Sequence, residues 1–100
     1  MGITYKNEIP YIEEQNLIDL TKSIDTPFYV YSQKKIIDTF VEFKKILNKD
    51  IFYAVKANSN QAIIALLNSL GAGADVVSQE EMQRALTAGV SADRIIFEGV

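Results

Sequence analysis

One hundred residues, 48% of them apolar, suffice for the core of one small domain or for a piece of a larger one. The net charge is only −3 and the basic residues are scattered apart from Lys34-Lys35 and Lys44-Lys45, which excludes a phosphate-backbone footprint and a nucleic-acid partner. Cysteine and histidine are absent, so disulfides and thiolate metal sites are excluded, no metal is expected, and any imidazole chemistry must come from outside these residues.

No stretch approaches the eighteen or so apolar residues of a membrane span. The opening Met-Gly-Ile-Thr-Tyr-Lys-Asn-Glu lacks the basic-then-apolar layout of a secretory signal. A soluble α/β segment of the cytoplasm is the expectation. Residues 1–25 are polar and weakly patterned, with Tyr11, Ile12, Leu17, Ile18 and Leu20 as apolar anchors, and only a short helix over 14–23 is predicted there. Thr26-Pro27 breaks the chain, since proline biases its predecessor to extended geometry, and a short strand over 28–31 follows. Ser32 is then the N-cap of a helix running to Leu47, whose Ile36, Phe40, Phe43 and Leu47 are spaced along one face and flanked by Ile37 and Val41.

From residue 51 onward the pattern becomes rhythmic. Residues 51–55 read as a strand buried on both faces, closed by Lys56, with Asn58, Ser59 and Asn60 starting a loop or a helix cap. A helix over 61–70 turns Ile63, Leu66, Leu67 and Leu70 inward and ends at Gly71. A strand over 74–77 leads to a helix over 79–88, opened by the Ser78/Glu81 capping box, with Met82, Ala85 and Leu86 inward and Gly89 as its close. A third strand spans residues 95–97. Alternation with a period of roughly twenty residues gives a parallel sheet or barrel, and a (β/α) barrel is favoured over a doubly wound sheet. Such a barrel takes about 250 residues, so these would form its first third, with edges and faces still uncovered.

Lys56 stands where parallel α/β proteins place function, at the carboxyl end of a strand. An ammonium at the rim of an apolar sheet loses hydration, which frees the amine to act as a Schiff-base nucleophile. The plain alternative is a lysine that snorkels out at a strand end. Asp75 lies beside Lys56 if the two strands are adjacent, and a carboxylate in a buried strand needs a partner such as Lys56; in the other register it faces solvent. Glu81 is accounted for by the capping box, although its helix starts at the same face of the sheet. Gly71-Ala-Gly73 follows a helix, not a strand, and Val76 takes the third glycine position of a dinucleotide loop, so helix capping is the better account. Tyr53 either lines the site or packs.

The segments Thr26-Pro-Phe-Tyr-Val-Tyr31, Phe52-Tyr-Ala-Val-Lys-Ala-Asn-Ser-Asn60, Leu70-Gly-Ala-Gly-Ala-Asp-Val-Val-Ser78, Glu81-Met-Gln-Arg-Ala-Leu-Thr-Ala-Gly-Val90 and Ile95-Ile-Phe carry a resemblance over residues 26–100. In them the sequence resembles the alanine-racemase-like (fold type III) pyridoxal-phosphate decarboxylases, and among these the diaminopimelate decarboxylase family. The resemblance implies a pyridoxal-phosphate-binding (β/α)8 TIM-like barrel, with Lys56 as the catalytic residue that tethers the cofactor as a Schiff base. Asp75 and Glu81 are implied as cofactor-binding residues in electrostatic or positioning roles. It further implies that residues 1–32 go with a C-terminal β domain and residues 33–100 form the first βα units. The intact protein would decarboxylate meso-2,6-diaminopimelate to L-lysine as a cytoplasmic homodimer, with the cofactor itself providing the electron sink. The family's phosphate cradle, ring-stacking histidine and substrate-binding residues come later in the chain, so these 100 residues alone are not expected to catalyse. The competing readings are a sister decarboxylase acting on ornithine or arginine, and a non-catalytic pyridoxal-phosphate-binding or structural α/β fragment.

Overall fold

The computed structural model describes residues 2–99 and divides into two compact units, with the boundary between Thr39 and Phe40. The first unit carries an element that the sequence pattern conceals. Strands β1 (Ile3–Lys6), β2 (Ile9–Ile12) and β3 (Gln15–Asn16) form an antiparallel sheet in the order β1-β2-β3. Lys6 pairs with Ile9 across a two-residue turn in which Asn7 and Glu8 have φ of 52° and 66°, the left-handed geometry that matches the twist of a hairpin. The helix expected over 14–23 shrinks to one turn, α1 (Leu17–Leu20), because residues 15 and 16 are committed to β3. Asn16 caps that turn, accepting from the amides of Ile18 and Asp19 at 2.9 and 3.2 Å.

The strand expected over 28–31 does not form: no ladder pairs it among the described residues, and a strand without a neighbour leaves its backbone groups unbonded. Helix α2 (Gln33–Leu47) starts as expected at Ser32, whose Oγ accepts from the Lys35 amide at 3.1 Å and donates to Glu13 Oε2 at 3.0 Å.

In the second unit the βα rhythm is realised. β4 (Phe52–Ala54), β5 (Gly73–Val76) and β6 (Ile95–Phe97) make a parallel sheet in sequential order, with α3 (Gln61–Ser69) and α4 (Gln79–Thr87) as the connections. The mixed α/β class and parallel order agree with the sequence reading. Val55, Ile64, Ala74, Val76, Ala85 and Val90 form the core, with Tyr53, Met82 and Ile95 packed against it. Period-2 alternation explains the division of faces. Tyr53, Ala74 and Ile95 are register partners on the helix-covered face, whereas Ala54, Asp75 and Ile96 are partners on the opposite face.

Three details depart from expectation. β4 is half-buried rather than buried on both faces, and it stops at Ala54. In α3 the fully buried position is Ile64, not Ile63, and in α4 Leu86 is exposed, so each helix is rotated slightly from the stripe read off the sequence. Both helices end in the same glycine motif. Ala72 donates to Leu67 O at 3.0 Å and Gly71 to Asn68 O at 2.9 Å, while Val90 donates to Ala85 O and Gly89 to Leu86 O, each at 3.0 Å. Gly71 and Gly89 have φ of 107° and 105°, and the buried Ala72 and Val90 supply the apolar contact that accompanies such an ending.

Candidate functional site

The carboxyl ends of β4, β5 and β6 gather the chain's reactive side chains. β4 runs directly into a single 3-10 turn, Val55–Ala57, so Lys56 belongs to that turn and not to the strand end expected from sequence. The turn is pinned on both sides. Val55 is fully buried, and the Asn58 carbonyl accepts from the Tyr53 hydroxyl at 2.8 Å. Asn60 then caps α3 by accepting from the Ala62 amide at 2.9 Å, which fulfils the expected cap. Lys56 itself is exposed. The dehydration expected of an amine at an apolar rim is therefore not imposed by these residues.

Asp75 sits in the middle of β5 between Ala74 and Val76, both 0% exposed, and is paired in register with Ala54, two residues before Lys56. The expected Lys56–Asp75 ion pair is not formed among the described residues. Instead Asp75 Oδ1 is buried without a hydrogen-bond partner. A buried carboxylate oxygen left unsatisfied costs several kcal/mol in general, and such groups persist where they serve a ligand or a reaction.

The third strand contributes a residue that the sequence reading missed. Glu98 follows β6, its amide donates to Val76 O at 2.8 Å, and it lies two residues beyond Ile96, the register partner of Asp75. Side-chain hydrogen bonding with Asp75, together with that carboxylate's like charge and some desolvation, raises the Glu98 carboxyl above the ordinary glutamate range, and the Lys56 ammonium opposes the rise. Asp75 and Lys56 thus both act on the Glu98 carboxyl, in opposite directions. The clue was available in the strand spacing: once β5 and β6 are aligned, period 2 carries the Asp75 face through Ile96 to residue 98.

Glu81 behaves as the capping box predicts, with one change of partner. Its amide donates to Ser78 Oγ at 3.1 Å, and its Oε1 accepts from the amide of Val77, the residue before the cap, at 2.9 Å. The carboxylate thereby closes the turn between β5 and α4, directly after the strand that carries Asp75. Ser78→Ala is expected to cost about 1 kcal/mol of stability, read as a lowered denaturation midpoint, because the Glu81 amide loses its acceptor.

At the opposite, amino-terminal end of the sheet, Arg94 is a structural clamp that also escaped the sequence reading. Its guanidinium donates to Gly71 O at 2.9 Å, pairs with Asp50 at 3.3 Å and lies 4.7 Å from the centroid of the Phe52 ring. This clamp joins the entries of all three strands and leaves the carboxyl edge free for chemistry.

Residues 33–100 match the family described as pyridoxal-dependent decarboxylase, pyridoxal binding domain. A diaminopimelate decarboxylase of Helicobacter pylori is 46% identical over 88 residues, covering 85% of this chain and 22% of that protein. The crystal structure of an Aquifex aeolicus protein superposes with a TM-score of 0.91 at 39% identity, over 96% of this chain and 24% of that one. The crystal structure of diaminopimelate decarboxylase from Helicobacter pylori complexed with L-lysine superposes with a TM-score of 0.78 at 45% identity, over 85% of this chain and 22% of that one. The chain therefore spans less than a quarter of the length of the relatives it matches.

Proposed function

The chain belongs to the pyridoxal-dependent decarboxylases through their pyridoxal-binding domain, and from that premise we propose that the intact protein converts meso-2,6-diaminopimelate to L-lysine and carbon dioxide. The observation that carries the proposal is an exposed Lys56 at the carboxyl edge of the sheet, two residues past Ala54, whose register partner Asp75 keeps a buried Oδ1 that lacks a donor. Both features suit pyridoxal phosphate: the amine can capture its aldehyde, and the unsatisfied carboxylate suits a cationic or N–H-bearing neighbour. Bound pyridoxal phosphate supplies the electron sink that lets an amino-acid carboxylate leave.

The chain's own residues have defined tasks in this reading. Lys56 holds the cofactor covalently, which requires Nζ to shed its proton before attack, and exposure of the side chain gives that proton a path to water. Asp75 offsets positive charge beside Lys56. Glu81, engaged by the Val77 amide, fixes the turn that follows the Asp75 strand. Residues 33–100 serve as the first βα units of a barrel and residues 1–32 accompany a β domain. The assembly we propose is a homodimer in the cytoplasm; among the described residues no helix is long and apolar enough to cross a membrane.

The test is carbon dioxide release by the intact protein with pyridoxal phosphate, comparing meso-diaminopimelate, ornithine and arginine. Discrimination in kcat/KM of roughly 10²-fold or more in favour of diaminopimelate is expected, since a site built to bind a second amino-carboxylate leaves polar groups unpaired with shorter substrates. Equal turnover of ornithine would overturn the substrate assignment, and no release from any of the three would overturn the decarboxylase itself.

A further inference from the structure

The sheet face that carries Asp75 also carries Glu98. Ala54, Asp75 and Ile96 are register partners, Lys56 lies two residues past Ala54, and Glu98 lies two residues past Ile96. Asp75 therefore has an amine on the 3-10 turn that follows one neighbouring strand and a second carboxyl just past the end of the other. The Glu98 amide is tied to Val76 O at 2.8 Å, which holds its backbone in line with β5. From this arrangement we infer that Glu98 is a positioning residue of the Lys56 site: it holds a proton against Asp75, so that the two carboxyls present a single negative charge to Lys56.

This role in the site rests on the decarboxylase reading, whereas the pairing itself rests on the register of β5 and β6 and on the effect of Asp75 on the Glu98 carboxyl. Asp75 and Lys56 are the charged groups that act on Glu98, Asp75 raising its carboxyl and Lys56 opposing. On α4, which packs against β6, Glu81 is engaged by the Val77 amide and Arg84 by Ser59 O at 3.4 Å, and Glu80 is exposed in the first turn. Two carboxylates brought together cannot both ionise freely, so one keeps its proton to higher pH. A neutral Glu98 leaves Asp75 as the counter-charge of Lys56, and loss of that proton would add a second negative charge at the same edge.

The deciding measurement is carboxyl-carbon NMR titration of the intact protein without cofactor, in wild type, Asp75→Asn and Lys56→Met. The Glu98 midpoint is expected above the ordinary glutamate value in wild type, lower in Asp75→Asn and higher in Lys56→Met. The two variants move it in opposite directions, so the inference stays testable if one of them does not fold. A Glu98 midpoint that does not move in a folded variant overturns the inference. On the loaded protein, the pH profile of the cofactor's visible absorbance should lose an inflection in Glu98→Gln while the cofactor mass on Lys56 is retained; an unchanged profile overturns the positioning role. Absence of cofactor mass on Lys56 in wild type would sink the decarboxylase reading and with it the positioning role, and would leave the proton pair to stand or fall by the titration.

Discussion

Lys56→Ala in the intact protein is expected to abolish covalent retention of pyridoxal phosphate and to cut decarboxylation by on the order of 10²–10⁴-fold, the range typical of removing one chemically engaged group. Stability should change by no more than about 0.5 kcal/mol, because Lys56 is exposed and forms no ion pair among the described residues. The shape of its turn comes from neighbours: Val55 is buried, the Asn58 amide closes on Val55 O at 3.1 Å, and the Tyr53 hydroxyl holds the Asn58 carbonyl. Loss of the tether can therefore be read without loss of the fold. Borohydride reduction, proteolysis and mass measurement of the peptide containing residue 56 check it directly. A variant that keeps a reducible cofactor at wild-type stoichiometry sinks the assignment. Lys56→Arg refines the result, since a guanidinium keeps the positive charge but does not act as the nucleophile. It should lose the tether as the alanine variant does, yet leave the Glu98 midpoint near that of wild type.

The parts of this site that sequence could reveal are those governed by local rules. The Ser78 and Asn60 caps, the glycine endings at Gly71 and Gly89, and strand β6 follow from short-range chemistry, and each is in place. Lys56 was legible because an apolar run ends there, although the 3-10 turn that holds it depends on the tertiary burial of Val55. Glu98 was hidden for a different reason. Its importance comes from register across two strands, and a carboxylate next to a short apolar run reads locally as an ordinary strand terminus. The antiparallel sheet of residues 3–16 was hidden because β1 is only four residues long and exposed throughout, so its Ile3-Thr4-Tyr5-Lys6 alternation is too short to stand out and buries neither face. Its turn residues, Asn7-Glu8 and Glu13-Glu14, lack the glycine that usually marks a tight hairpin.

Gly73→Ala is expected to destabilise the protein by about 3 kcal/mol, at the upper end of what overpacking costs. A Cβ at this position would stand 2.5 Å from Phe52 Cδ2 and 2.6 Å from the Arg94 carbonyl oxygen. The ring cannot simply swing away, because the Arg94 guanidinium lies against it while also holding Gly71 O and Asp50. The carbonyl belongs to the backbone entering β6, so moving it disturbs the Ala74–Ile95 pairing that sets the sheet. Gly71, two residues earlier, makes the informative control. Nothing lies within 4 Å of a Cβ built there, and its φ of 107° is the whole obstacle. Gly71→Ala should accordingly cost about 1–2 kcal/mol, the conformational penalty alone. The two glycines of Gly71-Ala-Gly73 thus have separate causes, a helix ending and a close strand approach, where a single capping role was expected for both. The second bears on function, because displacing β5 at Gly73 displaces Asp75 two residues further along the same strand. In Gly73→Ala the Glu98 titration midpoint should fall toward that of an isolated glutamate, while in Gly71→Ala it should stay where wild type has it. Denaturant midpoints and the Glu98 titration together decide the matter, and a Gly73→Ala variant no less stable than Gly71→Ala would show that the close approach at the sheet's amino-terminal end does not hold β5 in register.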